Sequence, residues 1–205
     1  MEKVRTNWNE NRVTLRGKVV GEPEFSHMNH GEAFCMFPLC VPRLSGAEDK
    51  INVVCSNRLL RACPIKDCMC VEITGEVRTF NNRSGEGSRL VITVFARTLT
   101  AHKGEAFNQL FLTGVICKEP VLRFTPLGRN ICDLIVAVNR RYGRADYLPC
   151  IAWGAQAALC GKLSVGDCVH IEGRLQSRQY RKMVDGACEE RIAFEVSVIK
   201  LEQVT

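Results

Sequence analysis

The hexapeptide Cys168-Val169-His170-Ile171-Glu172-Gly173 has an earlier counterpart in Cys70-Val71-Glu72-Ile73-Thr74-Gly75. Both alternate apolar and polar side chains and end on glycine, the period-two pattern of a strand with one buried face. The correspondence extends outward. Leu15, Gly17, Glu22, Pro23, Gly31, Cys35, Val41, Arg43, Asp49 and Cys63 recur as Leu112, Gly114, Glu119, Pro120, Gly128, Cys132, Val138, Arg140, Asp146 and Cys160, at a constant offset of 97 residues. Solenoid and propeller units repeat every 20–50 residues or so, so a period this long is a domain. The chain of 205 residues reads as two versions of one fold, and the places where they differ are informative.

Each half is large enough to bury a core, and 46% of the residues are apolar. No apolar run approaches the roughly 20 residues needed to span a bilayer, and the polar start Met1-Glu2-Lys3-Val4-Arg5 carries no signal-peptide pattern. A cytoplasmic, nucleoid-associated protein with no membrane partner is expected. Net charge is +6, with 15 basic against 12 acidic residues in 1–107 and 13 against 10 in 108–205. This excess permits a polyanionic partner without demanding one. The twelve cysteines are read as reduced, small hydrophobes among strand residues. Cys63, Cys68 and Cys70, with His27 and His30 as possible helpers, lack zinc spacing, so no metal and no cofactor is expected. The scattered histidines His27, His30, His102 and His170, with no paired carboxylates or phosphate-cradling loop, point away from an enzyme. His170 is read as lying on a wet strand face.

In the second half, strand patterns cover 109–117, 130–140, 147–153, 168–180 and 191–201, and the helix-forming stretch Ala155–Leu159 lies between the third and fourth. Ile192, Phe194, Val196 and Val198 are expected to be buried, with Ala193, Glu195 and Ser197 wet. The first half repeats this order over 12–19, 33–41, 50–55, 70–80 and 89–97. Five strands with a short helix between strands 3 and 4 is the order of the OB-fold. The expectation is an all-β chain of two tandem five-stranded OB-fold barrels. Residues 1–11 are read as a polar arm carrying Trp8, 12–99 as the diverged first domain, 100–107 as a linker and 108–205 as the second domain.

The second half resembles the bacterial single-stranded DNA-binding protein family. The resemblance rests on Glu119–Gly128, Ala137-Val-Asn-Arg-Arg-Tyr142, Ala145–Gly154 and Ile171–Tyr180, in the family's order and spacing across roughly 109–202. The first half is similar to a diverged copy, with some likeness to primosomal replication protein N, a relative of the same fold. The resemblance implies base stacking or phosphate contact at Tyr142, Tyr147, Trp153 and Tyr180. It also implies a homodimer holding four OB-folds and a part in replication, recombination or repair alongside other proteins of those processes. Family members that recruit enzymes through an acidic tail carry it after the last strand. This sequence stops at Leu201-Glu202-Gln203-Val204-Thr205, and recruitment by that route is not expected of it.

The chemistry of the task picks out the same residues. A sequence-tolerant binder of single strands needs exposed aromatic platforms interleaved with cations. Arg140, Arg141 and Arg144 surround Tyr142, Tyr147 and Trp153 bracket the third strand, and Arg174, Arg178 and Tyr180 share one parity on the fourth. In the first half, Lys50 stands opposite Tyr147, Ser56 opposite Trp153, and Leu44-Ser45 opposite Arg141-Tyr142. Only Phe80, with Arg78 at the same parity, keeps a ring there. Three readings stay open at this point: a coating protein for single-stranded DNA, a primosome-like assembly module in which DNA contact is secondary, and an RNA binder of the same fold.

Overall fold

The computed structural model describes residues 10–82, 90–140, 143–184 and 187–204; Trp8, Arg141 and Tyr142 lie outside them. The first repeat contains β1 (Asn11–Val19), β2 (Glu24–Asn29), β3 (Glu32–Pro42), β4 (Glu48–Ser56), α1 (Asn57–Ala62), β5 (Cys70–Asn81) and β6 (Leu90–Ala101). The second contains β7 (Phe107–Phe124), β8 (Asn130–Asn139), β9 (Ala145–Trp153), α2 (Gly154–Cys160), β10 (Cys168–Val184) and β11 (Ala187–Gln203). The fold is all-β with two short helices.

The first repeat has six strands where the sequence reading has five, and the local chemistry explains the difference. At Val20–Pro23 the chain passes through Gly21 at a φ of +72° and then Pro23, so β1 stops and β2 starts afresh. In the second repeat the Glu119-Pro120 site is crossed without a break. The pairing of β7 with β8 absorbs it through register shifts between Ile116 and Lys118 and between Lys118 and Val121. The connector read as 100–107 is shorter, since β6 runs to Ala101 and β7 begins at Phe107.

In the first repeat β1 pairs with β5, β5 with β6, β6 with β4 in parallel, β4 with β3, and β3 returns to β1 at Lys18–Cys40. The second repeats this circuit. There β7 pairs with β10, β11 lies between β10 and β9 and runs parallel to β9, β9 pairs with β8, and β8 pairs with β7. Alternate residues point inward, so Leu15, Phe37, Ile51 and Ile73 are buried in one repeat and Leu112, Leu134, Leu148 and Ile171 in the other. The expected alternation fails in two places. Ser197 is buried because β11 is there flanked by both β10 and β9, while Ile192 is exposed. His170 is half-buried rather than wet: its Nδ1 lies 3.1 Å from Thr113 Oγ1 and its ring stacks over Phe111.

Among the described residues the chain forms two compact units. One comprises 12–109 together with 175–195, and the other 10–11, 110–174 and 196–204. The tip of the β10–β11 hairpin thus belongs to the unit of the first repeat. Leu175 exchanges two hydrogen bonds with the Asn108 side chain, at 2.6 and 3.0 Å.

The repeated glycines have a common cause. A Cβ on Gly114 would stand 2.5 Å from Ala137 O and one on Gly173 2.5 Å from Ser197 O; Gly17 and Gly75 are equally tight against Cys40 O and Phe95 O. These close approaches bring a strand onto its neighbour's backbone where the sheet coils. The repeated Arg and Asp also form a unit. The Arg43 guanidinium donates to both carboxylate oxygens of buried Asp49, and Arg140 does the same to buried Asp146. The hydrogen bond to Asp49 raises the pKa of Arg43. Backbone hydrogen bonds close the same hairpins, from Arg43 N–H to Ala47 O and from Arg140 N–H to Arg144 O, both 2.7 Å.

Burial pushes the thiols of Cys55 and Cys160 up to about 12, which keeps them protonated and inert as packing groups. Among the described residues no group of three or more His, Cys, Asp or Glu side chains is placed to hold a metal ion.

Gly114→Ala should lower stability by about 1–3 kcal/mol, since the blocking atom is backbone and cannot step aside. A urea titration checks this, and an unchanged midpoint would show that the close approach is not needed. Arg140→Ala leaves the buried Asp146 carboxylate without its bidentate donor and should cost about 3–5 kcal/mol. Arg140→Lys, which keeps charge but not the fork, should recover only part of that in the same titration.

Candidate nucleic-acid interface

Tyr147, Pro149, Ile151 and Trp153 share one parity of β9, with the two rings exposed, Pro149 half-buried and Ile151 buried between them, while Asp146, Leu148, Cys150 and Ala152 face inward. Tyr147 is 52% exposed and Trp153 43%. Six residues apart on one strand, they stand about 20 Å apart on the same face, with room for several bases between them. Tyr147 lies opposite Ala137 and Trp153 opposite Ile131, which in turn lies opposite Arg123. Each ring keeps about half of its surface exposed. A shallow depression lined by Gly128, Arg129, Asn130, Trp153 and Gly154 opens beside the indole.

The cations differ in their commitments. Arg140 is taken up by Asp146, which gives it a structural task, and Arg123 pairs with Asp133 at 2.6 Å. Arg144 is exposed and Arg174 half-buried. Arg141 and Tyr142 fall outside the described residues.

Farther along β10, the Arg178 guanidinium sits 5.8 Å from the Tyr180 ring centroid and 4.0 Å from Glu195. The expected shared parity of these two residues corresponds to this contact. Ser177, between them and the buried Leu175, is held by the first repeat's ion pair. Asp49 Oδ1 accepts from Ser177 N–H at 2.7 Å and Arg43 donates to Ser177 O at 2.9 Å. The Lys50 N–H donates to Ser177 Oγ at 3.2 Å. A buried carboxylate in the first repeat therefore fixes the strand that carries Tyr180.

In the first repeat Phe80 is 52% exposed near the end of β5, and Arg78 pairs with Glu76, which also accepts from Arg97. At the position matching Trp153, Ser56 caps α1, its hydroxyl accepting from Leu59 N–H at 3.4 Å. No side chain caps α2 in this way.

Sequence reasoning missed Phe124. It is 69% exposed at the end of β7, opposite Asn130 in the depression beside Trp153. Its signal was present: an aromatic ends a strand directly before the turn Thr125-Pro126-Leu127-Gly128.

Residues 107–203 match the model of the "Single-strand binding protein family". A single-stranded DNA-binding protein of Clostridium tetani is 36% identical over 80 residues, covering 36% of this chain and 55% of that protein. One of Thermus thermophilus is 34% identical over 104 residues, covering 49% of this chain and 38% of that protein. The chain thus spans about half or less of the length of these curated relatives. The crystal structure of the wild-type single-stranded DNA-binding protein from Thermus aquaticus superposes with a TM-score of 0.79 at 22% identity, covering 96% of this chain and 94% of that one. This likeness extends the shared fold over both repeats. Over 107–203, the second repeat of this chain is thus similar to the single-strand binding protein family.

Proposed function

We propose that this chain binds single-stranded DNA without sequence preference and without catalysis, protecting the strand during replication, recombination or repair. The observation that carries the reading is the pair of half-exposed rings, Tyr147 and Trp153, at one parity of β9 in the repeat that matches this family. Every base offers a π-face, so spaced platforms of this kind hold a strand whatever its sequence. Tyr180 with Arg178, and Tyr142 with Arg141, extend the path, and Arg144 and Arg174 supply phosphate contacts; Phe80 with Arg78 is the lesser site of the first repeat. We read each closed circuit of pairings as a five-stranded OB-fold barrel, with β1 and β2 counting as one interrupted strand. Two such chains would give a homodimer with four barrels, the number that the family resemblance implies.

Single-stranded DNA should quench the tryptophan emission of the protein, and Trp153→Ala should remove most of that quenching and weaken binding by about 1–3 kcal/mol. Fluorescence titration with a homopyrimidine oligomer reads both. Quenching that survives the substitution would transfer the signal to Trp8. The salt dependence separates cations from rings. Each phosphate contact contributes about 0.7 to the slope of log affinity against log salt, so Arg144→Ala with Arg174→Ala should flatten that slope. Tyr147→Ala should lower affinity at every salt concentration and leave the slope unchanged.

A further inference from the structure

The first repeat lost its ring at Ser56, yet the same rung of its sheet holds an aromatic one strand away. In the second repeat Ile131 on β8 faces Trp153 on β9. At the matching positions, 97 residues earlier, Phe34 on β3 faces Ser56 on β4. The bulky and the small partner have changed sides.

The small Ser56 side chain lets Phe34 reach across β4 to Phe95 on β6, with ring centroids 5.5 Å apart. On its other side Phe34 meets the His27 ring of β2, at 5.0 Å and only 7° from parallel. The Arg97 guanidinium closes the far end, 5.0 Å from the Phe95 centroid. His27, Phe34, Phe95 and Arg97 therefore form a continuous row, stacked between His27 and Phe34 and tilted by 36° between Phe34 and Phe95, buried at Phe34 and ending at His27, which is exposed. Ser26 Oγ lies 3.0 Å from His27 Nδ1 and fixes the ring in its plane. On β2 all six side chains are exposed.

Two further observations point to a ligand for this row. In sequence His27 matches Phe124, which is likewise exposed, so both repeats carry an exposed ring at this position. Cations also stand on the adjacent helix α1, which packs on β3 and β4: Arg58 and Arg61 are exposed, and among the described residues no ion pair engages either. In the second repeat these positions are Ala155 and Ala158.

We propose that His27, backed by Phe34, is a base-stacking platform of the first repeat, and that Arg58 and Arg61 contact the phosphates of the same single strand. Histidine rings stack on unpaired bases as the larger aromatics do, and a ring already held flat loses little freedom on binding. The inference rests on the single-strand binding reading above and adds a second site to it.

The test uses the full chain and an oligothymidylate long enough to span both repeats. His27→Leu keeps an apolar cover on Phe34 but removes the ring. It should weaken binding about 5- to 150-fold, the factor equivalent to about 1–3 kcal/mol for one stacked base, and His27→Phe should restore it. In a Trp153→Phe background, where Trp8 is the remaining native tryptophan, His27→Trp should add quenching on binding that its parent lacks. A His27→Leu protein that binds like the wild type, with no added quenching from His27→Trp while the oligomer is bound, overturns the platform and leaves the second repeat's site standing. A wild-type protein that does not bind the oligomer at all removes both readings. Should His27→Leu not fold, as its melting curve would show, the quenching of the tryptophan variant decides alone.

Discussion

The fold depends on four positions with no side chain. A strand that pairs on two sides must bend onto its neighbour, and at Gly17, Gly75, Gly114 and Gly173 the approach leaves no space for even a methyl group against a backbone carbonyl. Because β1 can come this close to β3 while still paired with β5, the circuit of strands closes and alternate side chains fill one interior. With the interior filled, the opposite parity is left outward, and this is what places the exposed rings Tyr147 and Trp153 at one parity of β9. Repetition of the glycines in both halves therefore marks a requirement of closure, independent of what either half binds.

Much of this was legible from residue patterns. Period two located most of the strands, the offset of 97 residues matched the elements of the two repeats, and Tyr147 and Trp153 were visible as rings bracketing one strand. Other features were written in the sequence but not decipherable there. Arg43, Asp49, Arg140 and Asp146 were visible as recurring residues, yet their pairing across a hairpin turn depends on both side chains folding back to one buried point. Arg140 consequently looked like one more cation near a ring. The break after Val19 follows from Gly21 and Pro23, but the same Glu-Pro pair is bridged in β7, and only the pairing with β8 decides between the two outcomes. His27 drew attention only as a possible helper to a cysteine cluster, because residue type is visible in the sequence and stacking on Phe34 of the neighbouring strand is not.

The charge balance looks different once the ion pairs are counted in. A net +6 is already modest, and Arg16, Arg43, Arg78, Arg97, Arg123 and Arg140 are each engaged with a carboxylate. Those pairs close hairpins and tie strands together, and their charge is largely compensated locally. What remains for a polyanion is a smaller set of exposed cations beside exposed rings. Such a surface relies on stacking, which salt does not screen, more than on long-range attraction, which at physiological ionic strength fades within roughly 8 Å.

The divergence of the two repeats has a local physical root at one position. The residue that ends the strand before the short helix sits where two demands meet: a hydroxyl can satisfy an orphan N–H in the first turn, or a large ring can present a face to solvent. Ser56 does the first for α1 and Trp153 the second, leaving α2 without a side-chain cap. One side chain cannot do both. Choosing serine also removes bulk from the rung, and the room it leaves is what allows Phe34 to touch Phe95 over the strand and His27 to lie flat on Phe34. The loss of one platform thus goes together with an aromatic row beside it, and in the second repeat, where tryptophan holds this position, the residue facing it is the aliphatic Ile131.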